Sequence, residues 1–394
     1  MRVTFISDEW RRNGGVASYL HRLSAALIAR GDEVQVVHAD RRAPSVAGVR
    51  DDYVDGATAY GLARASCEAA TAAAMAAVRG FAPDVVHVQS CNNFSLEREL
   101  RARYRSTKTL HVYDFCPSNT KYHHALDREC SHPTSLLCLP RMGYKGCTTS
   151  RRPTVWARLQ RRAQDANRNN GEYAKLAVAS RHVRTHALAT GYPAAQVEVV
   201  PYFVDTPAPP SAPEPRLIVA AGRLVREKGM DLLLASLARI QRPWRAVIAG
   251  DGLEAAALKS EAQTLGLGES VDFAGWQDER GVAALLERAS VVVVPSRWPE
   301  PSGIIGLEAM AHGRPVVAFA TGGIPEWLEH GVTGLLVPPL DSAALASSIE
   351  SILGDSALAA GMGAAGRARV TREFSPASHL AQLDALYASL PGPA

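Results

Sequence analysis

Two α/β domains in series, each on a Rossmann-like parallel sheet, are the fold the sequence predicts. Three observations predict it. The chain has 394 residues, more than one ordinary hydrophobic core serves. Short apolar runs alternate with amphipathic stretches from end to end, the pattern of parallel strands joined by covering helices. A proline-rich segment, VDTPAPPSAPEPR, interrupts that alternation near mid-chain. A hydrophobic content of 47% and a charged content of 21% are those of a soluble globular protein.

The N-terminal RVTFIS reads as a first strand. It lacks the longer apolar core and small-residue cleavage site of an export signal, so a cytoplasmic location is expected. A Gly14-Gly15 turn follows, then a helix, VASYLHRLSAALIARG, which stops at Gly31 as helix C-termini do. EVQVVH, DVVHVQ, TKTLHV, KLAVAS and VEVVP continue the strand series, and the alanine-rich stretch from Cys67 to Val78 reads as a helix. The first domain is therefore taken as residues 1–204. It carries one irregular, cysteine-rich loop at 114–153, long enough to be a functional insertion. Pro207, Pro209, Pro210, Pro213 and Pro215 exclude a central strand or a helix interior and mark 205–215 as a semi-rigid linker. The second domain, 216–375, repeats the pattern with RLIVAAG, WRAVIAG, SVDFAG, SVVVVP and RPVVAFA. Residues 376–394 read as a C-terminal helix crossing back to the first domain. No apolar run approaches the ~20 residues that span a bilayer.

The net charge of +4 is unevenly placed. Up to residue 200 there are 28 Lys and Arg against 18 Asp and Glu, a net of +10, and the remainder nets −6. A basic first half suits an acidic acceptor or an anionic membrane surface. Arginines on solvated faces account for it equally simply, and charge alone discriminates poorly. No nucleic-acid partner is expected.

The chemistry concentrates in the second domain. In EPSGIIGLEAMAHGRPVV, a tight turn at Pro301-Ser302-Gly303 feeds a helix. The first amides of a helix have no partner within it and, with the helix dipole, make an anion site. Small Ser302 and Gly303 let a phosphate approach the backbone. In AAGRLVREKGMDLLL, Arg223 and Lys228 follow the domain's first strand, at the sheet edge where open α/β sheets bind ligands. Two cations there could neutralise a diphosphate, Arg through a fork of donors and Lys as a point charge. IAGDG adds a glycine-rich strand exit at Gly250, and Gly14-Gly15 offers a similar backbone approach in the first domain. No GxGxxG fingerprint follows either first strand.

Together GRLVREKG, AGDG, VDFAGW, VVVPSRWPEPSGIIGLEAMAHGRPVV, TGGIPEWLEHGVTGLLVPPLD and the early GGV resemble glycosyltransferase family 4. The resemblance covers essentially the whole chain and is densest from Arg216 to Asp341. It implies the GT-B fold, with two Rossmann-like domains facing across a cleft, and a retaining enzyme. Its substrates would be a nucleotide-diphosphate sugar, UDP- or GDP-type, and a saccharide, lipid-linked or natural-product acceptor. It also implies site roles. Arg223 and Lys228 match the pair on the donor diphosphate. Glu300 and Glu308 match the two acids of an E-x7-E element, the first at the donor sugar and often described as catalytic, the second on the ribose hydroxyls. The amides near Ser302, Gly303 and Ile304 match the phosphate-facing helix start, and Gly15 the first-domain glycine near the phosphate. No aspartate-rich metal motif is present and no cofactor is implied.

The sequence departs from the family at three places. Ser302 stands where Phe is common. The customary His-Asp pair is replaced in LHVYDFCP by Tyr113-Asp114, so either His111 or Tyr113 serves the sugar end, unless His111 is a strand histidine satisfied by its neighbours. Pro201-Tyr202-Phe203-Val204-Asp205 replaces the usual Pro-Asn-Gly-Val-Asp at the crossover. Two other readings share the architecture: a nucleotide-sugar epimerase or hydrolase, and a catalytically silent nucleotide-sugar-binding subunit. The intact acids and cations favour the transferase.

Two first-domain features stand apart. Cys116, Cys130, Cys138 and Cys147, with His123, His124 and His132 among them, could hold a structural zinc. The spacings of 13, 7 and 8 residues include no C-x2-C pair, so a flexible acceptor loop with incidental thiols is the alternative. RRPTVWARLQRRAQ sets five arginines around Val155, Trp156 and Leu159. Such a stretch either lies peripherally on the inner face of an anionic membrane or packs its apolar side on the sheet.

Overall fold

The computed structural model describes residues 1–8, 10, 14–41, 46–148, 150–208 and 211–392. Pro209 and Pro210 of the expected linker, and Asn13 before the glycine turn, lie outside the described residues. The chain divides into two compact units, Met1–Pro201 with His379–Ala394, and Tyr202–Ser378.

The first unit alternates β1 (Arg2–Ser7), α1 (Gly15–Arg30), β2 (Glu33–His38), β3 (Val49–Tyr53), α2 (Arg64–Phe81), β4 (Val85–Ser90), α3 (Phe94–Arg103) and β5 (Ser106–Leu110). The insertion follows, with a two-residue hairpin β6 (Tyr122–His123) and β7 (Arg128–Glu129), then α4 (Cys138–Tyr144) and α5 (Pro153–Gly171). The unit returns to the sheet with β8 (Leu176–Val178), α6 (Arg181–Thr190) and β9 (Val197–Val199). The seven-stranded sheet has the order β3-β2-β1-β4-β5-β8-β9 and is parallel throughout. Its inner strands are buried on both faces, yet they mix Val and Leu with buried polar side chains such as Thr4, Gln35, His87 and Lys108. β3, VRDDY, is an edge strand with two aspartates, and its polarity hides it from a hydrophobic reading.

In the second unit β10 (Leu217–Ala221) is followed by a 3-10 turn at Arg226–Lys228 and α7 (Met230–Leu237). Then come β11 (Arg245–Ala249), α8 (Ala255–Thr264), β12 (Val271–Gly275), α9 (Glu279–Arg288), β13 (Val291–Val294), α10 (Ile304–Ala311), β14 (Val316–Phe319), α11 (Ile324–Trp327), β15 (Gly334–Val337), α12 (Ser342–Gly354) and α13 (Ser356–Glu373). The sheet order is β12-β11-β10-β13-β14-β15, again all parallel. One apolar cluster, with Ile218, Leu233, Ile248 and Val317, covers one face, and a second, with Val219, Val292, Leu307 and Trp327, covers the other.

Both sheets are doubly wound, and in each the strand order reverses beside the first strand. The reversals fall between β1 and β4 and between β10 and β13. The chain leaves such neighbours in opposite directions, which opens a crevice at their C-terminal ends.

The last helix, α14 (Pro376–Ala388), contributes its residues from His379 onward to the first unit. There the Tyr387 hydroxyl meets His87 Nδ1 at 2.8 Å, and the Tyr19 hydroxyl meets His379 Nε2 at 2.9 Å. At the other end of the linker, Val204 N donates to Phe374 O and its side chain is buried in the second unit's core. Among the described residues, no helix is long and apolar enough to cross a membrane.

Candidate active site

The second unit's switch point carries the expected groups. β10 ends at Gly222-Arg223, and Arg223 is exposed, with no side-chain hydrogen bond or ion pair among the described residues. The 3-10 turn then presents Lys228 and closes on Gly229, whose φ of 67° is the left-handed region. A Cβ at Gly229 would lie 2.0 Å from Pro295 O, so only glycine lets this turn press against the exit of β13. That contact places Lys228 beside Glu300. Lys228 Nζ donates to Glu300 Oε1 at 2.6 Å. It also lies 5.6 Å from the centre of the Trp298 ring, a cation–π contact.

Glu300 is nearly fully buried. Ser296 Oγ donates to the same Oε1 at 2.6 Å. Burial pushes the Glu300 carboxyl pKa up. The Lys228 charge, with hydrogen bonds from Lys228, Ser296 and Trp298, outweighs that and holds it below the ordinary glutamate value. The acid's backbone is clamped as well: Gly323 N donates to Glu300 O at 2.7 Å, and Thr321 Oγ1 to Ser296 O at 3.1 Å. Beside it, buried Arg297 pairs with Asp231 of α7.

From Glu300 the chain turns through Pro301 and Ser302, and Gly303, with φ 77° and ψ 50°, starts α10. Trp327 Nε1 donates to Ser302 O at 2.5 Å, which fixes the turn from α11. No side chain caps α10, so its first amides, from Ile304 on, have no capping partner from the preceding residue. Glu308 follows on α10, half-buried. Gly250 ends the neighbouring strand, and a Cβ there would lie 1.8 Å from Gly222 O. Its glycine is thus required by the packing of two strand exits, independently of any ligand.

The structure therefore brings Lys228, Glu300, Ser302, Gly303 and Ile304 into one continuous constellation, with Arg223 and Gly250 at the adjoining strand exits. Three contributors escaped the sequence reading: Ser296, Trp298 and the Thr321–Gly323 turn. Ser296 and Trp298 follow β13 directly, at the same edge that singled out Arg223, and that position was the available signal.

The first-unit candidates are placed as follows. Gly14 precedes α1 in an extended conformation, and a Cβ on Gly15 would meet nothing within 4 Å. His111 follows β5, 6% exposed, and its Nε2–H donates to Gln89 Oε1 at 2.8 Å. Burial pulls its pKa down to about 3, so the ring is neutral. Tyr113 is fully buried, edge-on to Phe115 and to His186. Either residue is thus already engaged within the unit.

The six cysteines form no disulfide. Cys147 Sγ lies 3.1 Å from His123 Nδ1, and its thiol pKa is pushed up to about 12 by burial and by Cys130, Cys116 and Cys138. Among the described residues, the group that gathers three potential ligand atoms within 4.8 Å of one another is not drawn from these thiols. It consists of Glu129, His182 and His186. The arginine-rich stretch lies in α5, whose Val155, Trp156 and Leu159 are half-buried. Trp156 Nε1 donates to Ser150 O at 2.7 Å, and its ring covers Gly143 of α4.

Two doubly wound parallel sheets, one with a buried acid, a lysine and an open helix start at its switch point, define a two-domain α/β protein with a ligand crevice at its strand ends. The chain belongs to the glycosyltransferases of the GT-B type. Residues 205–369 match the family described as glycosyl transferases group 1, and residues 14–202 match the glycosyl transferase 4-like domain. It is 36% identical over 163 residues to a glycogen synthase of Mycobacterium tuberculosis, a match covering 41% of this chain and 39% of that one. It is 33% identical over 217 residues to the GDP-mannose-dependent alpha-(1-6)-phosphatidylinositol monomannoside mannosyltransferase of the same species, covering 50% and 56%. The chain thus spans roughly two fifths to just over half the length of these curated relatives. Sucrose-phosphate synthase from Thermosynechococcus elongatus superposes with a TM-score of 0.76 over 98% of both chains, at 24% identity. Anabaena HepE in complex with UDP and glucose does so with 0.76, over 99% of this chain and 100% of that one, at 20% identity.

Proposed function

We propose that this chain moves a sugar from a nucleotide-diphosphate sugar, of UDP or GDP type, to a hydroxyl of a saccharide, lipid-linked or natural-product acceptor, with retention of anomeric configuration. The single observation that carries the reading is the Lys228–Glu300 pair at the foot of α10, which no side chain caps, beside Arg223, which has no side-chain partner among the described residues. Support comes from the relatives: the mannosyltransferase is named for a GDP-mannose donor, and the HepE structure contains UDP and glucose.

In this mechanism the bond between the anomeric carbon and the diphosphate oxygen breaks. Negative charge grows on the leaving oxygen while the ring becomes oxocarbenium-like. Arg223, Lys228 and the α10 amides stabilise the first charge, each fixed donor contributing roughly 2–4 kcal/mol in the transition state. Glu300, held as a carboxylate, faces the sugar, where it orients hydroxyls and offsets positive charge. Glu308 accepts from the ribose hydroxyls. The acceptor oxygen attacks on the face the diphosphate leaves, and its proton passes to the departing phosphate oxygen. No divalent ion is needed to balance the step.

Incubation of the protein with UDP- and GDP-sugars and an acceptor panel, read by product mass and anomeric coupling, tests this. The expected result is an acceptor-dependent product with the donor's anomeric configuration, together with free nucleoside diphosphate. Free sugar alone would indicate a hydrolase, an altered donor an epimerase, and binding without turnover a silent subunit.

A further inference from the structure

Where the insertion of the first unit meets α6, a second chemical cluster forms that the proposed transfer does not use. Glu129 sits on β7 of the small hairpin, and His182 and His186 sit on α6. A separation of four residues puts both imidazoles on one face of that helix. Their ring centroids are 4.9 Å apart. Both Nε2 atoms converge on one carboxylate oxygen: Glu129 Oε1 is 2.5 Å from His186 Nε2 and 3.1 Å from His182 Nε2. Fully buried Tyr113 backs the pair, its ring edge-on to both at 5.5 and 6.3 Å. The three side chains remain 37%, 22% and 11% exposed for Glu129, His182 and His186, so an ion could enter from solvent without unfolding the insertion.

We propose that Glu129, His182 and His186 bind one divalent transition-metal ion of the zinc class, which staples the β6–β7 hairpin to α6. Two neutral imidazole nitrogens and a carboxylate oxygen are a donor set suited to zinc, and three protein ligands leave a fourth position for water. Metal–ligand bonds of ~2.0 Å in a tetrahedron set neighbouring donor atoms about 3.3 Å apart. The His182 contact already has nearly that spacing. The His186 contact must open by less than an ångström, which a rotation of the half-exposed Glu129 side chain supplies. Metal entry replaces the Glu129–His186 hydrogen bond with one bond from each side chain to the ion. The two imidazoles are held one turn apart on a helix, so most of the ordering needed for chelation is already present. The consequence is local: the hairpin is joined to α6 by a metal bridge in place of hydrogen bonds.

The test uses untagged full-length protein, stripped with chelator and dialysed, and titrated with zinc chloride by calorimetry. Cobalt(II) serves as a spectroscopic probe in parallel. We expect one equivalent bound at micromolar affinity or tighter, and visible cobalt bands of four- or five-coordinate intensity. His186→Ala and Glu129→Gln should each weaken binding at least tenfold. Glu129→Gln keeps the size and most of the hydrogen bonding, so it reports on the ligand even if the histidine variant folds poorly. Simultaneous Cys116→Ser, Cys130→Ser, Cys138→Ser and Cys147→Ser should leave the stoichiometry at one. Absence of zinc binding up to millimolar metal would overturn the proposal. So would binding that survives Glu129→Gln and His186→Ala but is lost with the cysteines. Neither outcome bears on the donor reading, because no donor-site residue is altered.

Discussion

Lys228 Nζ and Glu300 Oε1 stand 2.6 Å apart, so the two side chains read from separate motifs form one ion pair at the foot of α10. Each partner depends on the other. The carboxylate is nearly fully buried, and its ionised form is sustained by the ammonium and by Ser296. Replacing Lys228 alone leaves a buried charge short of its main partner, which costs about 1–3 kcal/mol. Urea unfolding should therefore show Lys228→Met less stable than the double variant Lys228→Met/Glu300→Gln. Equal stability of the two would mean that the pair is not coupled in solution.

Turnover should suffer in the same variants for a different reason. Lys228→Ala and Glu300→Ala each remove a fixed charge at the reacting centre, and each should lower kcat about 100- to 1000-fold while the chain remains folded. Circular dichroism beside the donor assay checks both halves of that statement. Near-normal rates in both variants would refute the site assignment.

The pH dependence of the reaction follows from the direction of the Glu300 shift. Its folded pKa lies below the ordinary glutamate value, so the carboxylate is ionised throughout the neutral and mildly acidic range. Protonating Glu300 should therefore not limit kcat above the ordinary glutamate pKa of about 4.3. An acid limb from this group belongs lower still. In Lys228→Ala the limb should move upward, because burial then acts without its main counterweight.

How far the sequence carried this picture depended on the kind of signal. Apolar runs such as SVVVV and AVIA declare parallel core strands, since burial on both faces leaves little room for other residues. β3 and the β6–β7 hairpin were silent: one is a charged edge strand, and the other is two residues long on each side. Lys228 and Gly303 were legible because a tight turn after a strand forces particular residue types into particular places, whereas Glu300 was legible through the E-x7-E resemblance. Ser296 and Trp298 share the strand-exit position, but their residue types carry no phosphate or sugar chemistry by themselves, and their importance comes from contact with Glu300. The Glu129–His182–His186 cluster shows the same limit more sharply. Its histidines are more than 50 residues from the glutamate along the chain, and only the folding of the hairpin onto α6 unites them.

Stability towards acid should be set by three buried histidines of the first unit. Burial pulls His87 and His111 down to about 3, and His379 to about 4. Each is neutral when folded and takes up a proton below about 6.5 when unfolded. The unfolded state therefore binds more protons in this window, and stability falls as the pH drops from 6.5 towards 4. Each group contributes about 1.4 kcal/mol per pH unit within its window. His87 and His379 also join α14 to the first unit through Tyr387 and Tyr19. Urea midpoints at pH 7, 6 and 5 should decline progressively, and His379→Gln should flatten the decline. A midpoint independent of pH across that range would contradict the neutral, buried state of these rings.

Two glycines separate a folding requirement from a binding one. At Gly229 a Cβ would sit 2.0 Å from Pro295 O, and the left-handed φ adds strain of about 1–3 kcal/mol for alanine. Gly229→Ala should lower the melting temperature and, by displacing the adjacent Lys228, lower kcat as well. At Gly15 the added methyl meets nothing within 4 Å, so the fold has no stake in it. Gly15→Ala should therefore melt as the wild type does. If the α1 start meets a donor phosphate, as family resemblance implies, the same variant should raise the donor KM severalfold. The comparison of melting temperature with KM across the two variants gives each glycine its role. An unchanged donor KM in Gly15→Ala would remove that residue from the donor site, and a lowered melting temperature would show that its methyl is not accommodated after all.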